Sequence, residues 1–134
     1  MKKVGYLIAE AAFALAAFAT AAESRVKMKD LPDAVRQTVA EQSKGATLKG
    51  LAKEVENGKT LYEAELVVNG RKKDVLIDPA GEVVTVEEEV TLGSVPARVR
   101  SAFEQKAGKR KITLGESITE HGKLVAFEAR FKSA

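Results

Sequence analysis

Asn57–Leu66 reads NGKTLYEAEL, and His121–Arg130 reads HGKLVAFEAR. Each sets a Gly-Lys turn ahead of a segment with one aromatic residue and a Glu-Ala pair, and apolar side chains then recur with a period of two. In the first segment Tyr62, Ala64, Leu66 and Val68 share one side, with Glu63 and Glu65 on the other. In the second, Val125, Phe127, Ala129 and Phe131 share a side, opposite Glu128 and Arg130. Such alternation belongs to an antiparallel strand with one buried face and one wet face. Tyr62 therefore corresponds to Phe127, and Leu66 to Phe131.

The correspondence extends outward. At a shift of 64 positions Pro32 falls on Pro96, Val35 on Val99 and Arg36 on Arg100, and later Glu56, Gly58 and Lys59 fall on Glu120, Gly122 and Lys123. One inserted residue then brings Tyr62-Glu63-Ala64 onto Phe127-Glu128-Ala129. Each copy opens with a helix signal. Pro32 and Pro96 suit a first turn, where a missing N–H costs nothing. Val35, Thr38, Val39 and Gln42 keep helical spacing in one copy, and Val99, Ala102 and Phe103 in the other. Asp30 and Asp33 place negative charge at the positive end of the first helix, and Gly45 and Gly108 offer stops.

Turn signals divide the rest. Asn57-Gly58, Asn69-Gly70 and His121-Gly122 are hairpin pairs that accept positive φ, and Asp78-Pro79-Ala80-Gly81 is a further turn. Between them lie strands over Lys72–Ile77 and Glu82–Val90, the latter with Val84 and Val86 on one face. The spacing predicts an α+β fold of tandem units, each a short helix packed on an antiparallel β-meander. The first unit covers residues 31–91, a helix and roughly four strands. The second covers 95–134, is truncated, and has a helix and roughly two strands. Truncation makes Lys123–Phe131 an edge strand, paired either by the first unit's sheet or by a second copy in a homodimer.

Residues 1–22 read differently. Lys2 and Lys3 precede the apolar run Ala11–Ala19, and Ala19-Thr20-Ala21 is a small-x-small pattern, so the chain is expected to lose a signal peptide after Ala21 or Ala22. The run is shorter than the roughly 20 residues of a spanning helix, so no stable membrane insertion is expected after cleavage. The expected address is periplasmic or secreted. With no cysteine, thiolate catalysis, Cys-based metal sites and lipid anchoring through Cys are excluded. The net charge of +3 is modest, and the clusters Arg71-Lys72-Lys73 and Lys109-Arg110-Lys111 are offset by Glu87-Glu88-Glu89 and other acids. They read as solvated turns and strand edges, and no nucleic-acid partner is expected.

No catalytic constellation emerges, so the protein is not expected to be an enzyme, nor to hold a cofactor or metal. His121, the single histidine, occupies a turn where the first copy has Asn57. Asp78 before Pro79 is a turn starter. Glu87–Glu89 lack the spaced oxygens and tight Gly turn of a calcium loop, and read as a solvated strand end. Tyr62, as the equivalent of Phe127, reads as core. What remains is the outward sheet face, where Leu61, Glu63, Glu65 and Val67 in one copy and Leu124, Ala126, Glu128 and Arg130 in the other mix apolar and charged groups. That face reads either as a protein-binding surface or as an ordinary exterior.

The segment LYEAELVVNGRKKDVLIDPAGEVV, with Tyr62, Gly70, Val75, Ile77, Asp78, Gly81 and Val83 in place, resembles the PepSY family. The openings Leu31-Pro32 with Val35 and Val95-Pro96 with Val99 are similar to that family's helix start. The chain is similar in particular to exported, tandem PepSY-like proteins described as β-lactamase-inhibitor-like. The resemblance implies a non-catalytic binding or inhibitory module acting on a protein of the cell envelope. The alternative is a structural or chaperone-like protein that self-associates or pairs strands through its C-terminal edge.

Overall fold

The computed structural model describes residues 7–8 and 22–132. The expected signal peptide, residues 1–22, lies outside the described residues except for positions 7, 8 and 22, as do the last two positions of the second unit. The chain order is β1 (Leu7–Ile8), β2 (Ala22–Arg25), α1 (Asp33–Gln42), β3 (Thr47–Glu56), β4 (Lys59–Val68), β5 (Arg71–Ile77), β6 (Val83–Val90), α2 (Ala97–Ala107), β7 (Ile112–Glu120) and β8 (Lys123–Phe131). All strands join one antiparallel sheet in the order β1-β8-β7-β6-β5-β4-β3-β2.

Helix, then meander, occurs twice. Pro32 and Pro96 stand one position before their helices, at the N-caps, with extended ψ of 147° and 140°. Proline's fixed φ suits that place, and Asp33 carries negative charge into the first turn of α1. Val35 and Val39 of α1 pack with Leu31 onto Leu51, Ala64, Leu66, Val75 and Ile77. Val99 and Phe103 of α2 pack with Val95 onto Ala129. Tyr62 leans on the first cluster and Phe127 on the second, both partly buried, while Leu66 and Phe131 are buried outright. The paired residues of the two copies thus point the same way, as the alternation predicts.

Asn57, Asn69 and His121 take φ of 50°, 51° and 46°, each followed by a positive-φ glycine, which is the twist a two-residue hairpin needs. Gly81 is tied to its place more tightly. Its φ is +88°, and a Cβ there would stand 2.7 Å from the carbonyl oxygen of Ala34. Thr38 Oγ1 donates to the Gly81 carbonyl, so α1 sits directly on the β5–β6 turn. Asp78 starts that turn as expected, its Oδ1 accepting from the Glu82 N–H at 3.0 Å.

Three expectations are corrected. A register shift beside Leu76 and Ile77 sets Val83 opposite Ile77 and onto the core, a place the alternation from Val86 assigns to Val84. Arg110 is not a freely solvated turn residue. Its Nε and Nη2 donate to the carbonyls of Ala107 and Lys106 at the end of α2, and its guanidinium lies 4.1 Å from the centre of the Phe131 ring. The first unit's sheet does not pair with β8; β6 takes β7 instead, because the second helix returns the chain beside the strand it has just left. On its far side, among the described residues, β8 meets Leu7–Ile8, opposite Ala129 and Glu128.

Candidate functional site: the helix-free face of the sheet

Both helices pack on one side of the sheet, and register decides what lies on the other. Glu63 and Glu65 face away from the core on β4. Glu65 stands opposite Asp74 of β5, Asp74 opposite Glu87 of β6, and Glu87 opposite Ile118 of β7. One step along, Glu89 stands opposite Glu116, and Glu116 opposite Glu128 of β8. Like charges directly across a ladder destabilise it, and here four successive strand pairs carry them.

These groups are not wet, which corrects the sequence expectation. Glu116 is 2% exposed, Glu128 3% and Asp74 9%. Among the described residues no helix covers them, and the sheet bends where its register shifts. Register shifts at Leu48/Gly50, Leu76/Ile77, Ile112/Leu114 and Ile118/Thr119 supply bends of that kind. Glu87 likewise belongs to this face rather than to a solvated strand end. Its neighbours divide their roles: Glu88 lies 3.5 Å from Lys73, and Glu89 accepts from the Lys72 N–H at 2.8 Å.

Cations meet only part of the negative charge. Arg25 Nη1 pairs with Glu65 Oε1 at 2.8 Å. Arg130 reaches Glu116 at 3.3 Å and Glu128 at 4.0 Å, an ion pair without hydrogen-bond geometry at either carboxylate oxygen. Asp74 Oδ1, both oxygens of Glu116 and Glu128 Oε1 are buried without a hydrogen-bond partner. Burial of that sort is costly for a charged group.

The electrostatic consequence is proton retention. Glu63 is pushed up to about 9, first by burial, then by a hydrogen bond shared with Glu54 and by the charge of Asp74. Glu87 rises to about 7 through burial and the charges of Glu116 and Asp74. Glu128 also rises to about 7, through burial and the charges of Glu87 and Glu116. Burial raises Asp74 as well, with Lys72 opposing. Carboxylate oxygens of Asp74, Glu87 and Glu116 all lie within 4.8 Å of one another, close enough to share one cation.

Of the residues predicted for a binding face, Leu61, Glu63, Glu65 and Val67 stand together on β4, and Glu128 and Arg130 stand on β8, with β5, β6 and β7 between the two groups. Leu124 departs from its row. A register shift sets it opposite Thr119, out of sequence with Ala126, and it is 58% exposed. Asp74, Glu116, Glu54 and Arg25 were not singled out, and Glu87 was read only as part of a solvated strand end. Each alternates correctly within its own strand, but only cross-strand pairing brings them together.

No protein-family profile matches the chain, and no curated protein does either. Solved structures do. A BLIP-like protein from Bacteroides fragilis is 17% identical and superposes with a TM-score of 0.53, covering 78% of this chain and 73% of that one. A "putative periplasmic" protein from Bacteroides eggerthii is 25% identical, also with a TM-score of 0.53, covering 68% of this chain and 64% of that one. The fold is therefore of the BLIP-like α+β kind. Among the described residues no helix is long and apolar enough to cross a membrane.

Proposed function

We propose that this chain is an exported, non-catalytic protein-binding module, and that its helix-free face is the surface that receives the partner. The observation that carries this reading is the set of buried, hydrogen-bond-deficient carboxylates at the centre of that face. Among the described residues Arg25 and Arg130 meet part of this charge without hydrogen-bonding the buried oxygens of Asp74, Glu116 and Glu128, so a complementary surface from outside is the natural counterpart. The partner on this reading is an envelope protein presenting arginine or lysine side chains, and binding restrains it. The BLIP-like neighbour and the periplasmic description of the other support the class and the address. The leader at residues 1–22, the tandem PepSY-like units at 31–91 and 95–134, and a periplasmic or secreted location form part of the same reading.

The test is affinity capture from an envelope extract, using the purified chain and a variant with Glu63, Glu65, Glu128 and Arg130 changed to Ala. We expect the wild type to retain a basic protein that the variant loses, while circular dichroism shows the variant folded. Identical capture by both chains, or no specific capture by either, overturns the reading.

A second reading rests on the β8 edge, along which Leu7–Ile8 are the pairing partners among the described residues. A strand edge with unpaired backbone groups can pair with another copy. Val125→Pro should then change the sedimentation coefficient; a monomer before and after the substitution rejects self-pairing.

A further inference from the structure

We propose that Asp74, Glu87 and Glu116 form a binding site for a hard divalent cation, Ca²⁺ in the first place, at the centre of the helix-free face. Three strands supply one carboxylate each. Asp74 and Glu87 are direct cross-strand partners on β5 and β6, and Glu116 lies two residues along β7 from Glu87's partner Ile118. Their oxygens lie within 4.8 Å of one another. Ca²⁺ holds oxygens at about 2.3–2.6 Å, so two on opposite sides of the ion stand roughly 4.6–5.2 Å apart and adjacent ones closer. The spacing fits without moving the backbone.

An acidic cluster alone would not carry this, since exposed carboxylates gather on many surfaces with water as their only company. Here the oxygens have been withdrawn from water. Asp74 is 9% exposed with Oδ1 unpartnered, and Glu116 is 2% exposed with neither oxygen hydrogen-bonded. Each brings a carboxylate oxygen within 4.8 Å of one from Glu87. The Arg130 contact is divided between Glu116 and Glu128, so it does not discharge the trio. Among the described residues no imidazole or thiolate stands with the three carboxylates, and an all-oxygen set favours Ca²⁺, Mg²⁺ or Mn²⁺ over zinc or copper. Water would supply the remaining ligands of the shell. A bound cation would turn the most repulsive point of the face into its most rigid one, fixing β5, β6 and β7 to one another.

The test is calorimetric titration of the metal-free, full chain with CaCl₂, MgCl₂ and MnCl₂ separately, at pH 7.5 and physiological salt, together with thermal unfolding. We expect one site with a dissociation constant below about 1 mM for at least one ion, and a rise of several degrees in Tm, by mass action on the folded state. Asp74→Asn and Glu116→Gln should each weaken binding at least tenfold, whereas Glu104→Gln, exposed on α2 across the sheet, should leave it unchanged. Should either buried variant misfold, Glu87→Gln and Mn²⁺-induced broadening of the amide signals of residues 74, 87 and 116 give the same answer. Absence of binding by all three ions at 5 mM, binding that survives the trio variants, or equal loss in Glu104→Gln overturns the proposal. The captured-partner experiment is independent of this outcome, so the two readings fail separately.

Discussion

The two faces of this sheet are built on opposite rules. On the helix side, Leu, Val, Ile and Phe from both copies gather into two clusters, and the charge of Lys73 is matched by Glu88. On the open side, Glu65 faces Asp74, Asp74 faces Glu87 and Glu116 faces Glu128, with Arg25 and Arg130 as partial counterweights. The first face lowers the free energy of the fold through apolar burial. The second raises it, because desolvated carboxylates without partners are a burden the helix side must offset. The comparison teaches that stability and the proposed binding surface occupy different sides of the same strands, one residue apart in sequence.

If that division holds, substitutions on the two faces should move stability in opposite directions. Phe103→Ala, at a side chain 1% exposed under α2, should cost about 3–5 kcal/mol and leave the chain largely unfolded at 37 °C, as urea titration would show. Gly81→Ala should cost about 1–3 kcal/mol, since the residue holds φ at +88° and its new Cβ would meet the Ala34 carbonyl; the loss should appear first as faster amide exchange in α1.

Acidity sharpens the contrast. Glu63, Glu87 and Glu128 are held above their ordinary value in the folded chain, so folding takes up protons. Their contribution is fully present below the unfolded value of 4.5, and is lost as pH rises through about 7 for Glu87 and Glu128 and about 9 for Glu63. The wild type should therefore be more stable at pH 5.5 than at pH 9, by about 1–2 kcal/mol after discounting for the water that still reaches these groups. Glu63→Gln should flatten the upper part of that slope. The smallest effect belongs to Leu124→Ala, at a side chain 58% exposed and out of the row, which should change unfolding by less than about 0.5 kcal/mol.

Much of the helix side was legible in the sequence. Period-two alternation in LYEAELVV and LVAFEARF gave the strands their inward residues, and the three-four spacing at Val35/Val39 and Val99/Phe103 did the same for the helices. Asn-Gly and His-Gly pairs marked the hairpins, because positive φ restricts residue choice. The open side was legible only residue by residue. Glu63 and Glu65 could be placed outward, but their burial, and their approach to Asp74, Glu87 and Glu116, depend on which strands are neighbours and in what register. A single strand's pattern does not carry that information. The bulges near Ile77 and Ile118 explain the misplaced Val84 and Leu124, since one extra residue interrupts the alternation. Arg110 was missed for a related reason: its ring partner, Phe131, lies on another element.

The central claim, that the open face is arranged against the fold's own stability, meets its most direct test in urea unfolding at pH 8 with a chelator present. The comparison is between the wild type and a chain carrying Asp74→Asn together with Glu87→Gln. The account expects the neutralised chain to be more stable, by about 1–3 kcal/mol, with an unchanged dependence on urea concentration. An equal or lower midpoint for the neutralised chain would show that these carboxylates support the fold, and would contradict the account.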